Sequence, residues 1–165
     1  MEILEILVAA VWFILPAYVA NATPVVLGGG KPIDGGKKFT DGRPIFGPGK
    51  TVRGFIAGII AGSIVGALQA IFGRPGMVTA GFLLSLGALV GDLMGSFIKR
   101  RFGLPRGSSA PGLDQLGFLL IAMAFAAPVA LPTPEMFVAL LIITPILHIS
   151  TNYCGYLLKL KDRPY

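Results

Sequence analysis

Val78-Thr79-Ala80-Gly81-Phe82-Leu83-Leu84-Ser85-Leu86-Gly87-Ala88-Leu89-Val90-Gly91-Asp92-Leu93-Met94-Gly95-Ser96-Phe97-Ile98, followed at once by Lys99-Arg100-Arg101, reads as a membrane-spanning helix that stops on a basic run. Asp92 is the one ionisable residue before that run. A charge at membrane depth costs roughly 3 kcal/mol or more, so such groups are rare and usually functional. In helical geometry Asp92, Ser96 and Lys99 stand at i, i+4 and i+7, so they share one stripe leading to the membrane surface. A carboxylate, a hydroxyl and an ammonium on one stripe can cradle a metal ion and a phosphate.

The rest of the chain agrees with a membrane setting. Of 165 residues, 54% are hydrophobic and 13% charged, and the mean hydropathy is +0.77. Five segments, at about 3–22, 54–73, 78–98, 114–131 and 136–158, are long and apolar enough to cross a hydrocarbon core of about 30 Å. The expected fold is an all-α integral membrane protein of five transmembrane helices, a single membrane domain over 1–165, with long cytoplasmic loops at 23–53 and 99–113. The first segment lacks the basic start of a signal peptide, since its early charges are Glu2 and Glu5, and it is read as a span. A single cysteine, Cys154, excludes an intrachain disulfide.

A net charge of +6 raises the question of nucleic acid, and the distribution of charge answers it. Lys31, Lys37, Lys38, Arg43, Lys50 and Arg53 lie between spans one and two; Lys99, Arg100, Arg101 and Arg106 lie between spans three and four; Lys159, Lys161 and Arg163 follow span five. Only Arg74 lies elsewhere. With five spans these segments share one side, which the positive-inside rule makes the cytoplasm, with the N-terminus outside and the C-terminus within. The charge is a topology signal, and no nucleic-acid partner is expected.

The outer connections, Gly73–Met77 and Pro132–Glu135, are short and rich in Gly and Pro. Glycines at 54, 58, 62 and 66, and again at 87, 91 and 95, form ridges that let helix backbones approach closely in lipid. Such ridges serve packing within a chain and between chains equally, so they leave monomer and homo-oligomer both open. The first cytoplasmic loop carries Ile33, Phe39, Ile45 and Phe46, apolar residues that a bare linker does not need, and its length points to function.

Polar residues cluster at one depth: Asn21 in span one, Asp92 and Ser96 in span three, Asn152 and Tyr153 in span five. Three helices bringing such groups to one height predict a polar cavity open to the cytoplasm. Gln69, towards the outer end of span two, reads as a packing or interfacial residue. His148, the lone histidine, is either structural or a substrate contact or proton carrier. Asp114 opens span four, where it can cap the helix or join Asp92 in holding a divalent cation. Lys37, Lys38, Arg43, Lys50 and Arg53 can neutralise a polyphosphate while the loop glycines allow close backbone approach. The same residues could instead rest on anionic lipid headgroups. Gly47-Pro48-Gly49-Lys50-Thr51 lacks the glycine spacing and the preceding strand of a P-loop.

Gly91-Asp92-Leu93-Met94-Gly95-Ser96-Phe97-Ile98-Lys99-Arg100 resembles the Gly-Asp-x-x-x-Ser-x-x-Lys-Arg signature of the CTP:phosphatidate cytidylyltransferases. Pro16–Pro24, Asp34-Gly-Gly-Lys-Lys-Phe-Thr-Asp-Gly-Arg43 and Ser109-Ala-Pro-Gly-Leu-Asp-Gln115 are more similar to the archaeal branch, the small five-span CDP-archaeol synthases, over essentially the whole chain. The resemblance implies that CTP and 2,3-di-O-geranylgeranylglyceryl 1-phosphate give unsaturated CDP-archaeol and pyrophosphate. It further implies catalytic roles for Asp92, Asp114 and Lys99, and Mg²⁺ held by Asp92 and Asp114. Substrate contacts are implied for Asn21, Lys37, Lys38, Asp41, Arg43, Ser96 and Arg100. Where the bacterial branch has Asp-Arg-x-Asp, this chain has Asp114-Gln115-Leu116-Gly117, so the resemblance implies one Mg²⁺ and leaves a second metal open. The partners are then CTP, an isoprenoid glycerol phosphate lipid and the surrounding membrane lipids. Two other readings remain: an ion-coupled transporter or channel using Asp92, which leaves the charged loops unexplained, and a lipid-binding scaffold, which leaves the buried acid unexplained.

Overall fold

The structure, a computed structural model, describes residues 2–72 and 75–160. Gly73, Arg74, Lys161 and Arg163, used above for turns and topology, lie outside the described residues. Five helices follow in order: α1 (Ile3–Leu27), α2 (Val52–Ile71), α3 (Met77–Arg101), α4 (Leu113–Ala126) and α5 (Pro134–Leu157). Among the described residues four of these, all but α4, are long and apolar enough to cross a membrane.

Successive helices run in opposite directions, and glycine decides how closely they meet. In α2, a Cβ on Gly58 would stand 2.7 Å from the Ala20 carbonyl oxygen of α1, and one on Gly66 would stand 2.7 Å from Gly81 Cα of α3. The ridge at 54, 58, 62 and 66 therefore lies in the crevice between α1 and α3. Gly87 and Gly91 do the same on the other face of α3, each within 2.7 Å of an α4 Cα, at Ala122 and Phe118. Gly95 does not: its nearest neighbour is Leu113 Cγ at 3.8 Å. The ridge at 87, 91 and 95 thus packs closely at its first two glycines, before Asp92, and α3 opens towards its basic end.

Two prolines, Pro16 and Pro24, lie inside α1, and α2 meets the consequence of the first. Pro16 has no N–H to offer the Trp12 carbonyl one turn back. Gln69 of α2, buried, donates its amide to that carbonyl. Gln69 is therefore a packing residue between α1 and α2 with a polar role, and not an interfacial one. Ser85 of α3 donates to Gly81 O at 2.6 Å and reaches Pro16 O at 3.5 Å. α5 lies outside this group, packed on α1 and α4 alone; its Thr144 hydroxyl is 2.6 Å from Tyr18 Oη. The core between α1, α3, α4 and α5 is built from Ile14, Leu84, Leu119 and Leu140 with small alanines around them.

Several expected boundaries move. α1 continues to Leu27, so the first loop begins at Gly28 rather than residue 23. α3 continues through Arg101, which makes Lys99-Arg100-Arg101 its last turn, where cations complement the helix dipole. Span four, expected at 114–131, is a helix of 14 residues ending at Ala126, about 21 Å long by the helical rise. Pro128 explains the stop, because it would clash with the preceding turn and cannot donate. A turn and an extended stretch carry the chain on to Thr133, whose hydroxyl accepts from Met136 N–H at 3.3 Å and caps α5.

Candidate active site at the basic end of the bundle

The first loop is folded around a buried carboxylate. Asp34 accepts hydrogen bonds from Gly36 N–H at 2.9 Å and from Phe46 and Gly47 N–H at 3.0 Å each. Burial alone would raise its pKa, yet these backbone donors outweigh that and hold the carboxyl below the ordinary range. Two isolated bridges, Pro32 with Thr51 and Lys38 with Pro44, fix the rest of the path.

This loop docks on the last turns of α3. The Phe39 and Phe46 rings stand 5.3 and 6.5 Å from Phe97, and the Arg101 guanidinium lies 4.7 Å over Phe39 and 4.8 Å over Phe97. Asp41 pairs with Arg101 at 2.6 Å. Arg43 donates to the carbonyls of Arg100 and Arg101, satisfying helix-end acceptors that have no partner within the helix. Asp41 and Arg43, expected to meet substrate, are here the loop's fastenings to α3. The aromatic residues that distinguished this segment from a linker are what seat it.

Docking brings Lys50 to Asp92. The ammonium is 2.5 Å from Oδ2, with side-chain exposures of 29% and 32%. Asp92 is therefore at an open margin of the bundle rather than sealed inside it, and its Oδ1 accepts no hydrogen bond among the described residues. Sequence reasoning placed Lys50 among the loop cations without linking it to Asp92; aperiodic loop sequence carries no register from which such a contact can be read.

A second pair stands beside the first. Lys99 binds Asp114 Oδ1 at 2.7 Å and Ser108 O at 3.3 Å. Asp114 Oδ2 accepts from Ala110 N–H at 2.8 Å. Both oxygens of Asp114 are thus engaged, and the pair is more enclosed, at 16% and 19% exposure. Asp114 lies in the first turn of α4 but caps none of that turn's amides; it holds the 108–114 segment through Ala110 N–H and reaches across to Lys99 of α3.

The remaining candidates divide. Ser96 is buried on the Asp92 face. Asn21 is half-buried and continues the inward stripe of Ile14 and Ala17. Lys37 and Lys38 are exposed at the tip of the loop. Arg100 is buried. Asn152 and Tyr153 do not join the cluster: Asn152 contacts His148 at 3.2 Å, Tyr153 is 53% exposed, and α5 touches neither α2 nor α3. His148 also stacks near Phe118, with centroids 6.3 Å apart. Among the described residues no group of three or more His, Cys, Asp and Glu side chains could hold a metal.

The family model described as "CarS-like: CDP-archaeol synthase" matches residues 3–165. The chain belongs to the CDP-archaeol synthase family. The CDP-archaeol synthase of Thermococcus gammatolerans is 54% identical over 162 residues, covering 94% of this chain and 95% of the relative. That of Pyrococcus abyssi is 55% identical over 164 residues, covering 94% and 96%. A solved structure described as an intramembrane enzyme for archaeal membrane lipids biosynthesis superposes with a TM-score of 0.83 at 44% identity, covering 88% of this chain and 94% of that one. These matches establish a multi-pass membrane enzyme of the CDP-archaeol synthase family. The transporter or channel reading of Asp92 finds no support in them.

Proposed function

We propose that this protein transfers the cytidylyl group of CTP to the phosphate of an unsaturated archaeal ether lipid, 2,3-di-O-geranylgeranylglyceryl 1-phosphate, at the basic end of the bundle. A non-bridging oxygen of the lipid phosphate forms a bond to the α-phosphorus of CTP, the bond from that phosphorus to the α,β-bridging oxygen breaks, and pyrophosphate departs. The nucleophile is already anionic, so no strong general base is required. The obstacle is bringing anions together, and catalysis rests on positioning and charge neutralisation.

The observation that carries this reading is the meeting of Asp92 and Lys50 at the margin where apolar helices give way to charged loops. There a bilayer-bound phosphate and a water-soluble nucleotide can share one site. The family's name supplies the product, and the reaction implies CTP.

The donor set fits Mg²⁺, which commonly binds through one or two carboxylates completed by substrate phosphates. Asp92 would hold it through the oxygen that no hydrogen bond engages; Asp114 would contribute after loosening its hold on Lys99 or Ala110. When bound, the ion would offset the negative charge of the converging phosphates. Lys50, Lys99, Lys37 and Lys38 would neutralise the triphosphate and the leaving pyrophosphate, while Ser96 and Asn21 would donate hydrogen bonds. Asp41 and Arg43 would keep the loop seated so that Lys50 stays in place. The cytoplasm lies at this end by the positive-inside rule, with the N-terminus outside and the site facing the nucleotide pool.

Radiolabelled CTP, Mg²⁺ and the isoprenoid glycerol phosphate in detergent test the reading. A CDP-lipid and one pyrophosphate per turnover are expected, with chelation of Mg²⁺ stopping the reaction. Solute flux in liposomes without any nucleotide chemistry would overturn it.

A further inference from the structure

Most seams between the helices around Asp92 are closed by backbone contact. One turn from the acid, a Cβ on Gly58 would stand 2.7 Å from Ala20 O and 3.0 Å from Leu89 Cδ1, which seals α2 against both α1 and α3. A Cβ on Gly91 would stand 2.7 Å from Phe118 Cα, which seals α3 against α4. The seams of α5 are different. Met136, Leu140 and Thr144 form its buried stripe at four-residue spacing, and the stripe ends at the 2.6 Å contact of Thr144 with Tyr18. Pro145 follows at once; it cannot donate to Leu141 O, and a helix bends readily at such a residue. Beyond Pro145 no residue of α5 is buried, and from Ile149 on only Asn152 and Gly155 are even half-buried. His148 and Asn152 continue the stripe into this slack region. The Phe118 ring, beside Gly91, lies 6.2 Å from Tyr18 and 6.3 Å from His148. These rings roof a cleft at the depth of Asp92 that opens towards the basic end, between α5 on one side and α1 and α4 on the other.

We propose that this cleft is the port and seat of the lipid acceptor, a glycerol phosphate with two ether-linked chains. Its glycerol lies against His148 and Asn152, and its phosphate points past Phe118 towards Asp92 and Lys99. The inference rests on the cytidylyl-transfer reading and adds where the acceptor is held. Polar side chains on a membrane helix line substrate paths or meet one another, and here they do both: Asn152 contacts His148 at 3.2 Å. Their chemistry suits the occupant. Ether oxygens only accept hydrogen bonds, whereas an asparagine amide and an imidazole N–H donate them. Ile142, Ile146 and Ile149, all exposed on α5, offer an apolar track from the cleft towards the bilayer centre for the chains. The Tyr18–Thr144 contact sets the top of the cleft, above which α5 stays packed on the bundle.

A photoreactive acceptor tests the port: a glycerol phosphate with two isoprenoid ether chains and a diazirine beside each ether oxygen, added to the full-length detergent-solubilised protein without nucleotide. Labelling of residues 145–157 should exceed that of the α2 face at Ile56 and Ile60 at least fivefold, and excess unlabelled lipid phosphate should suppress it. Asn152→Leu should raise KM for the lipid about fivefold, the loss of one neutral hydrogen bond, with kcat and KM for CTP at the wild-type values. Even labelling of all bilayer-facing helices, labelling centred on α2, or an unchanged lipid KM in Asn152→Leu would each overturn the port. So would a rise in KM shared equally by CTP, which a merely structural role would produce. Competed labelling of α5 in a protein that makes no CDP-lipid would support the port and overturn only the assigned reaction.

Discussion

Two lysine–aspartate pairs stand side by side at the basic end, and they differ in what each carboxylate has left to give. Asp114 has both oxygens engaged, by Lys99 and by Ala110 N–H, in a contact between neighbouring stretches of chain. Asp92 has one oxygen uncommitted, and its lysine arrives from a loop more than 40 residues away, as the separation of 42 records. The first pair is built into the frame of the α3–α4 connection. The second depends on the loop staying docked, and it is exposed enough to be exchanged for a ligand. Identical chemistry thus supports a structural bond in one place and a replaceable counter-ion in the other.

The largest expected effect tests the exchangeable acid. Asp92→Asn should lower CDP-lipid formation by about 10³-fold, the scale of losing a principal electrostatic group, with the folded protein recovered in detergent. Near-normal turnover in that variant would remove Asp92 from the chemistry. Lys99→Ala should cost about 10²-fold in rate and also lower the melting temperature, because Asp114 is left enclosed without its partner. A loss confined to expression level would make Lys99 a topology signal alone.

Lys50→Met separates the pairs more sharply. About a tenfold fall in rate is expected with no shift in melting temperature, since a partly exposed pair contributes little stability. A marked fall in melting temperature would show that the two pairs do the same work. The smallest effect concerns the loop that delivers Lys50. Asp34 has a folded pKa below its unfolded value, so its contribution is complete above about pH 4 and is lost as pH falls through the folded value. Asp34→Asn should cost about 1 kcal/mol at neutral pH and speed proteolysis within residues 28–51. In the wild type the same acceleration should appear only under acid. Equal cleavage of both proteins at pH 7 would break the link between Asp34 and the docked loop.

What the sequence displayed and what it hid follow from periodicity. The stripe of Asp92, Ser96 and Lys99 and the two glycine ridges repeat at helical spacing, and helix geometry alone turns them into faces. The apolar residues of the first loop marked it as more than a linker, and Phe39 and Phe46 do dock on Phe97. The partners hidden from reading were those set by a loop's path: Lys50 for Asp92, and Arg43 for the carbonyls ending α3. Span four misled because hydropathy continues past Pro128 although the helix does not. Asn152 and Tyr153 had the right depth, but depth says nothing about azimuth, and α5 touches neither α2 nor α3.

The amide of Gln69, which completes the hydrogen bonding that Pro16 denies to Trp12, has a bearing on redesign. A scheme that ranks substitutions by oil–water partitioning would exchange Gln69 for leucine and score the change as an improvement. It would leave a peptide oxygen dehydrated in hydrocarbon, at a cost of several kcal/mol. Pro16 and Gln69 are 53 positions apart yet act on the same carbonyl, so Gln69 can be given up safely only where position 16 regains an N–H.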